Sequence, residues 1–526
     1  MFWADRIAKE IQEKKSAAIE SGRPLLIRDE KTLSGRVHIG SMRGLAIHSL
    51  ISEVLSEYGI QNRFLWEHND FDPFDSIPGY LDEATYTEHL GKPLYLVPSP
   101  EPGFANYAEY FGHEFAAVHA KFGARPEYYW AYKDLYAAGK MNPFIRIALE
   151  RPADVRRILK DVSGSVKDET WLPISIVCEN CSKMMTTRSY DFDGETVAYI
   201  CDRTPDGCVP CGHEGRRSPF SGGGKLFWKV DWAAKWAALG VDIEGGGKDH
   251  STKGGSRDVA NHIARELFSI ESPFDIPYEF FLVGGKKMSS SKGRGSSAKE
   301  MSQLFPTPEF RLTLIGKDIN QQIDVDPEGD SIPRMYDWYD ELAEKVREGV
   351  ADDFTRLYAL CQKPEEQAED PAHWQLRFSL LAFIVQMPHL DLFAEAEAVK
   401  GSALTDDEKT LLTERAEYAR FWLVTYAPDQ FKYVLQDSVP AGVELTDAQK
   451  TSLIKIADYL ESGTRTGEDV HERLHELKTE VPIEPKELFG AIYRVFLNRT
   501  SGPKAGWFLA SLPKDLAAAR LKEASA

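Results

Sequence analysis

A strand, a turn, a helix and a second strand follow one another near the start of this 526-residue chain, and this order constrains its fold most. Residues 24–28 (PLLIR) and 62–66 (NRFLW) are short apolar runs, and the apolar residues within 47–55 recur at helical spacing before Gly59. A helix that crosses over between two strands makes those strands parallel. Because parallel sheets bind ligands at the carboxyl ends of their strands, the sequence predicts an α/β fold with a ligand site after the first strand.

The strand pattern returns after a long interruption. Residues 240–244 and 278–283 are predicted strands, and Val259, Ile263 and Leu267 mark a helix between them. Residues 91–229, which are rich in aromatic residues and proline, are therefore predicted to be an insertion that divides one parallel sheet into two halves.

Strand signals fade after about residue 330, and the rest of the chain carries helix starts. Thr405 with Glu408 and Thr446 with Gln449 have the spacing of capping boxes, and Pro485 suits the first turn of a further helix. Residues 331–526 are therefore predicted to be all-helical.

The charge excludes one class of function. With 63 basic and 82 acidic residues the formal charge is −19, so bulk positive charge does not hold this chain on a nucleic acid. Residues 276–317 are a local exception, with seven Lys or Arg against three acids. The first residues lack an apolar signal core, and the most apolar stretch, 378–390, is too short to span a bilayer. We expect a cytoplasmic protein without a membrane partner.

The first candidate motif is the turn after the first strand, SGRVHIGS from Ser34 to Ser41. A helix N-terminus favours anions, and Gly40 lets a phosphate approach the backbone. His38 is placed to donate a hydrogen bond to a phosphate as negative charge develops. The alternative is an ordinary turn with an exposed histidine.

The second candidate motif, KMSSSKG at 287–293, follows the predicted strand that ends at residue 283. Two lysines and three hydroxyl groups on a glycine-bounded loop suit a mobile clamp over a polyphosphate. The alternative is a flexible, solvated linker. Both motifs follow strands of one divided sheet, and this order favours a shared phosphate site.

Five of the six cysteines lie between residues 178 and 211, which indicates a metal site rather than disulfides. Two C-x₂-C pairs separated by 26 residues fit a tetrahedral zinc ribbon, with these four ligands: Cys178, Cys181, Cys208 and Cys211. Cys201 and His213 are alternate ligands of suitable type. The alternative is a set of buried, reduced thiols. We predict a structural zinc that holds the insertion together.

The two motifs resemble the HIGH and KMSKS signature of class I aminoacyl-tRNA synthetases. Ser41 stands where the signature has its second histidine, and Ser290 stands where it has its inner lysine. Class I lysyl-tRNA synthetases are similar at both positions. The resemblance covers most of the chain and includes the segments 230–236 (VDWAAKW), 247–250 (GKDH), 251–256 (STKGGS), 278–280 (YEF), 489–496 (FGAIYRVF) and 501–503 (SGP).

This resemblance implies a Rossmann-like catalytic domain that makes lysyl-adenylate from lysine and ATP with Mg²⁺, then transfers lysine to a lysine tRNA. It implies His38, Lys287 and Lys292 as catalytic residues. The implied ATP contacts are Ser34, Gly35, His38, Gly40, Ser41, Lys287, Met288, Ser289, Ser290 and Ser291. The implied domains are the two catalytic halves 1–90 and 230–285, the zinc insertion 91–229, the loop and stem-contact region 286–330, and a helical anticodon-binding domain 331–526.

The lysine pocket of the family carries over to four positions: Thr32, Trp232, His250 and Tyr278. Glu30 replaces a glycine that is common two residues before the threonine, and its carboxylate either faces the substrate ammonium or points to solvent. Asp70, in the acidic run 67–72, is another candidate for that ammonium, since lysine selection needs a carboxylate and an apolar wall.

Two other functions stay open at this point. A glutamyl-type synthetase would need an arginine for the substrate's γ-carboxylate, and pyrophosphate exchange with each amino acid distinguishes it. A non-catalytic tRNA-binding paralogue is the alternative outside the enzymes, and a turnover assay distinguishes it. The sequence leaves the oligomeric state open.

Overall fold

The computed structural model describes residues 1–205, 207–286, 297–362, 373–387 and 390–526. It forms two compact units, one of Met1–Val325 with Ala351–Asp370 and one of Asp326–Val350 with Pro371–Ala526. All strands found in these described ranges belong to the first unit. The predicted α/β fold with a helical C-terminal region is confirmed.

The first strand, Leu25–Thr32, is central to a parallel sheet. It pairs in register with Asn62–Asn69, which in turn pairs with Glu127–Trp130. On its other side, Ile27 bridges Ile243 in parallel, and Ile243 bridges Phe274. The sheet therefore combines segments from before, within and after residues 91–229, and its carboxyl ends meet at one edge. The predicted insertion contributes one strand, Glu127–Trp130, to the sheet that it was expected to divide.

Two predicted strands are shorter in the structure. Within 240–244, Ile243 alone has bridge partners in the described chain, and the predicted strand 278–283 is two short ones, Pro277–Tyr278 and Phe281–Leu282. These pair in parallel with Gly246–Gly247 and Ile323–Asp324, respectively. A Cβ on Gly245 would lie 2.4 Å from the Ile276 carbonyl oxygen, so the chains approach closely at a glycine and regular pairing is interrupted.

Helices surround this sheet in the first unit. The α-helices are Trp3–Lys14, Ser16–Glu20, Met42–Glu57, Glu83–Tyr86, Tyr107–Phe122, Asn142–Glu150, Pro152–Ser163, Trp228–Leu239, Lys248–Ser251, Ser256–Glu266, Ala298–Ser302, Thr307–Ile315 and Asp353–Cys361. Ile39–Ser41, Thr87–His89 and Leu94–Leu96 are 3₁₀ turns, and Ala131–Ala137 is π-helical.

The insertion adds two small antiparallel sheets. Ile174–Ile176 pairs with Gly224–Leu226, and Val197–Cys201 lies between Thr187–Phe192 and Glu214–Arg217. Buried side chains of the first pair and of the middle strand join the same apolar core as the helix Trp228–Leu239.

The second unit is helical in its described part. Its α-helices are Ser331–Arg347, Phe378–Ile384, Leu392–Lys400, Asp406–Thr425, Asp447–Glu461, Gly467–Glu480, Pro485–Leu497, Ala505–Ser511 and Lys514–Ser525, and Asp429–Phe431 is a 3₁₀ turn. The predicted capping boxes at Thr405 and Thr446 are formed, and Pro485 begins its helix. Across the ranges that the structure describes, no helix combines the length and apolar character needed to cross a bilayer.

Candidate active site

The first motif lies at the carboxyl edge of the sheet. Ile39–Ser41 is one 3₁₀ turn that leads directly into the helix Met42–Glu57. Gly35 has φ +148°, and a Cβ there would lie 2.8 Å from the Tyr80 hydroxyl oxygen, so only glycine fits. The Arg36 amide donates a hydrogen bond to that same hydroxyl at 2.6 Å. The Tyr80 side chain therefore fixes the start of the turn.

The rest of the turn is fixed by a second tyrosine and by its own backbone. The Tyr107 hydroxyl donates to the Ser34 carbonyl at 3.2 Å, and the Ser41 amide donates to the His38 carbonyl at 3.0 Å. Gly40 is the middle residue of the 3₁₀ turn. The predicted phosphate contacts of this motif therefore lie on one short, ordered stretch of chain.

The first motif touches the chain that follows the second. His38 forms an antiparallel bridge with Ser297, and the Ala298 amide donates to the Val37 carbonyl at 2.8 Å. Ser297 also caps the helix Ala298–Ser302. The second motif itself lies outside the described residues, and so do these predicted site residues: Lys287, Met288, Ser289, Ser290, Ser291 and Lys292.

Three of the predicted lysine-binding residues surround the short strand Gly246–Gly247, which we call the glycine strand. The Trp232 and His250 rings lie edge to face, with centroids 5.8 Å apart. A Cβ on Gly246 would lie 3.7 Å from both of these side chains. Tyr278 pairs in register with Gly247, directly before the helix that carries His250. The structure therefore brings Trp232, His250 and Tyr278 together.

The Tyr278 hydroxyl packs against the helix Met42–Glu57, which follows the first motif and which we call the first-motif helix. A Cβ on Gly44 would lie 2.6 Å from this hydroxyl and from an Asp29 carboxylate oxygen. One turn later, His48 Nε2 accepts a hydrogen bond from the Gly245 amide at 2.8 Å, so this nitrogen carries no proton. Its Nδ1 lies 2.8 Å from the Gly44 carbonyl and donates to it. Helix, first strand and glycine strand are thus fixed to one another behind the pocket.

Thr32 and Asp70 stand at the ends of neighbouring strands. The Thr32 hydroxyl donates to Asp72, whose carboxylate also binds the Lys225 ammonium. Asp70 Oδ1 accepts a hydrogen bond from the Tyr132 amide at 2.8 Å, and burial raises the pKa of Asp70 to about 7. One oxygen of Asp70 therefore holds the π-helical segment.

Buried charges lie between the first strand and the helix Trp228–Leu239. The acid-rich layer, as we call it, consists of two cations and four carboxylates: Arg28, Lys235, Glu30, Glu67, Asp231 and Glu244. Lys235 Nζ lies 2.5 Å from Glu67, 2.9 Å from Glu30 and 2.9 Å from Asp231. Arg28 lies 2.7 Å from each of Glu30, Glu67 and Glu244. No side chain in the layer is more than 9% exposed.

Glu30 does not point to solvent, so that one of the two expectations is wrong. Its Oε2 accepts hydrogen bonds from Arg28 and Lys235. Its Oε1 is buried and has no hydrogen-bond partner among the described residues. Burial raises the pKa of Glu30 to about 8, against the opposing effect of the two cations. Although burial also acts on Glu67, the same cations hold the pKa of that carboxyl well below its usual range.

Sequence reasoning missed the cations of the layer and the acids Asp231 and Glu244. The signal was present as charge in apolar surroundings: Arg28 ends the run PLLIR, and Asp231 and Lys235 are four residues apart in VDWAAKW. Charged side chains are buried almost only when they are paired. Such positions indicate an internal ion-pair network.

The structure groups a different set of cysteines from the one predicted. The sulfurs of Cys178, Cys181, Cys201 and Cys211 all lie within 4.8 Å of one another. Two of these pairs are 3.6 Å and 3.8 Å apart. Four sulfurs bound tetrahedrally at about 2.3 Å from a zinc ion would be about 3.8 Å apart, so this set fits that metal.

Cys208, one of the four predicted ligands, is not in this group, and the alternate ligand Cys201 takes its place. Cys208 is buried, and a Cβ on Gly91 would lie 3.2 Å from its sulfur. Cys201 ends the strand Val197–Cys201 and accepts a hydrogen bond from the Cys211 amide at 3.4 Å. The other alternate, His213, is also outside the group. The spacing C-x₂-C favoured Cys208, but the strand brings Cys201 to the sulfurs.

One of the seven basic residues within 276–317 does not contribute to a basic surface. Arg311 is fully buried and donates hydrogen bonds to the Leu360 carbonyl at 3.0 Å and the Phe122 carbonyl at 3.1 Å. It also pairs with Glu53 at 2.5 Å. Lys299 is half-exposed and lies 3.4 Å from Glu114. Arg311 therefore has a structural role, and a nucleic acid does not reach it.

The chain belongs to the class I tRNA synthetases (K), the family whose model matches residues 1–374. It is also similar along its whole length to proteins named lysine–tRNA ligase. Lysine–tRNA ligase 1 of Methanosarcina acetivorans is 35% identical over 100% of this chain and 98% of that protein. The enzyme of Methanosarcina barkeri strain Fusaro is 34% identical over the same shares, and that of Archaeoglobus fulgidus is 32% identical over 100% of both chains.

Proposed function

We propose that this chain is a lysine–tRNA ligase that activates L-lysine with ATP and transfers it to the terminal ribose of a lysine tRNA. One observation carries the proposal. The bridge between His38 and Ser297 brings the first motif against the segment that follows the second, at the carboxyl edge of the parallel sheet. The full-length similarity to lysine–tRNA ligases supports this choice of amino acid and tRNA.

In the activation step, a carboxylate oxygen of lysine attacks the α-phosphorus of ATP and pyrophosphate leaves. His38 stabilises the charge that grows on the phosphate oxygens, and the turn with Ser34, Gly35, Gly40 and Ser41 admits the nucleotide. We assign Lys287 and Lys292 to the pyrophosphate side, with Met288, Ser289, Ser290 and Ser291 as the loop between them. Mg²⁺ accompanies ATP as its counter-ion.

The lysine substrate lies between Thr32 and the group formed by Trp232, His250 and Tyr278. The aromatic side chains cover its methylene groups, and Tyr278 is held in place by Gly44 and the first-motif helix. Glu30 and Asp70 are the nearby acids that we assign to the pocket, because an ammonium group binds carboxylates best. A zinc ion bound by Cys178, Cys181, Cys201 and Cys211 would hold the insertion and take no part in the reaction.

The glutamyl-type alternative is disfavoured by the charges of this pocket. A substrate carboxylate would require a cation with a free donor, but Arg28 is committed to three glutamates. The carboxylate oxygen of the layer with neither a hydrogen bond nor an ion pair to any described residue belongs to Glu30, which would repel a carboxylate. These contacts favour a cationic amino acid.

Aminoacylation of a lysine tRNA, assayed with each of the twenty amino acids, tests the proposal. We expect lysine to be the substrate. Charging with glutamate instead would overturn the assignment, and absence of turnover with every amino acid would favour the non-catalytic paralogue.

The same assay tests the first motif. His38→Ala should lower kcat about 100-fold, roughly 3 kcal/mol, with a smaller effect on the KM for ATP, because its hydrogen bond strengthens in the transition state. His262→Ala is the matched control, since His262 lies on the surface of the helix Ser256–Glu266. Near-normal turnover of His38→Ala would remove this residue from the mechanism.

A further inference from the structure

The acid-rich layer has one carboxylate oxygen that the protein does not bind. Seven of its eight carboxylate oxygens have a hydrogen bond or ion pair at 2.5–2.9 Å. The eighth is Glu30 Oε1, which is buried without a hydrogen-bond partner in the described chain. A buried oxygen of this kind costs free energy unless something else binds it.

The layer is also short of positive charge. With all groups ionised, its two cations face four carboxylates. A third buried cation, Lys225, lies 3.8 Å from Asp231 but is itself paired with Asp72, so two negative charges remain in a buried site. A charge imbalance of this kind is reduced by one either by a proton on one carboxyl group or by a monovalent cation from outside. The facing pair Glu30 and Glu67, which share Arg28 and Lys235, is the place where a proton is best held.

One face of the first strand becomes more exposed towards the carboxyl end of the strand. Side chains two residues apart point to the same face of a strand, so Arg28, Glu30 and Thr32 form one row. Arg28 is fully buried, the Glu30 side chain is 9% exposed, and Thr32 at the end of the strand is partly exposed. Glu30 therefore lies between the buried Arg28 and the partly exposed Thr32, on the side of the strand from which a substrate at Thr32 would approach it.

We propose that Glu30 selects lysine by an exchange of positive charge: it carries a proton in the free enzyme and releases it when the ε-ammonium of lysine binds Oε1. The O–H bond of the carboxyl group breaks, its electron pair stays on the carboxylate, and the proton goes to the buffer. This inference rests on the proposed function and names the side chain that recognises the substrate.

The groups that face Glu30 support this exchange. Arg28 and Lys235 hold its other oxygen, and Glu67, Asp231 and Glu244 supply the excess negative charge around them. Burial raises the pKa of Glu30 to about 8, so the free enzyme is protonated there at neutral pH. An incoming ammonium favours the ionised form and lowers that pKa.

Calorimetric titration of the full-length enzyme with L-lysine tests the proposal, with phosphate and imidazole as the two buffers at pH 7 and borate and Tris as the two buffers at pH 9. The two buffers differ in ionisation enthalpy, so the difference in measured heat gives the protons released per lysine bound. We expect about 0.9 proton at pH 7 and close to none at pH 9. The lysine ε-ammonium keeps its own proton over this range. Equal heats in the two buffers at pH 7 would overturn the inference.

Glu30→Gln is the matched variant. It should bind lysine at least about tenfold more weakly and release no proton, because the amide cannot ionise. It should also discriminate less between lysine and norleucine, which lacks the ammonium group. Glu127→Gln, on an exposed ion pair with Arg63, should behave like the wild type in all three measurements.

The outcomes separate this inference from the proposed function. A wild-type enzyme that charges lysine but releases no proton overturns the role of Glu30 alone, and so does a Glu30→Gln variant with wild-type affinity. An enzyme that charges no tRNA with lysine overturns the proposed function itself. If Glu30→Gln does not fold, the two-buffer titration of the wild type still decides.

Discussion

The acid-rich layer and the cysteine group each collect four groups that become anionic, but they differ in the source of the opposing charge. In the layer, Arg28 and Lys235 lie within hydrogen-bond distance of the carboxylates. In the cysteine group, the sulfur contacts at 3.6 Å and 3.8 Å are to one another. The first region carries half of its counter-charge in the chain, whereas the second suits a cation from solution.

Because of this difference, we expect the layer to be sensitive to substitution and the cysteine group to be sensitive to metal removal. Loss of one lysine from the layer leaves buried carboxylates without a partner, and a chelator has nothing to remove there. The cysteine group should respond in the opposite way, since its partner is exchangeable. Substitution and metal removal therefore distinguish the two kinds of site.

Removal of zinc should have the largest effect. Structural zinc sites contribute of order 10 kcal/mol to local folding, so stripping the metal should unfold the insertion around the cysteines. We expect about one zinc per chain by metal analysis. We also expect that a strong chelator makes the insertion sensitive to proteases. Purified protein without zinc and with freely titratable thiols would contradict this prediction.

Two serine variants distinguish the ligand sets. Cys201→Ser should lose zinc, because its sulfur lies within 4.8 Å of the other three. Cys208→Ser should keep zinc, because it changes a buried thiol that is not in the group. The reverse result would restore the ligand set that the C-x₂-C spacing favours.

Substitution of the central lysine should have the next largest effect. Lys235→Met leaves Glu30, Glu67 and Asp231 without their shared cation and should lower the free energy of unfolding by about 3–5 kcal/mol. Urea unfolding measures this loss, which a chelator should not change. Lys229→Met, on the same helix, should stay within about 0.5 kcal/mol of the wild type. Equal stability of the two variants would mean that the layer does not depend on its own cations.

The sequence predicted the parts of this molecule that follow local rules. The parallel strands, the helix after the first motif and the capping boxes at Thr405 and Thr446 depend on residues close in the chain, and the structure has them. The zinc ligands were predicted less well, because Cys201 reaches the other sulfurs only through the pairing of its strand.

The buried contact between Glu30 and Lys235 was not predictable from local patterns. Lys235 and Glu30 are 205 residues apart, and their contact depends on how the helix Trp228–Leu239 packs on the first strand. A glutamate in place of a glycine left both orientations open in the sequence. Burial beside Lys235 excludes the solvent-facing orientation, and the lysine gives no sign of this partner in the sequence.

Counted per pH unit, the smallest expected effect is a change of stability with pH, and it tests the charge deficit of the layer directly. The pKa of Glu30 is raised from 4.5 to about 8 in the folded protein, so the native state holds a proton there that the unfolded chain does not. The group therefore makes the wild type lose stability as the pH rises from about 4.5 to about 8. Glu67, whose pKa is lowered, acts below this window, on the acid side.

Glu30→Gln removes this dependence. Relative to the wild type, the variant should gain up to about 1.4 kcal/mol of stability per pH unit within the window and no more above it. Urea unfolding at pH 5, 6, 7 and 8 measures the difference, with Glu127→Gln as the control, because its ion pair with Arg63 is exposed. A difference that stays constant from pH 5 to 8 would show that Glu30 is already ionised at pH 5. The two cations of the layer would then keep all four carboxylates ionised without a proton on Glu30 and without a bound substrate.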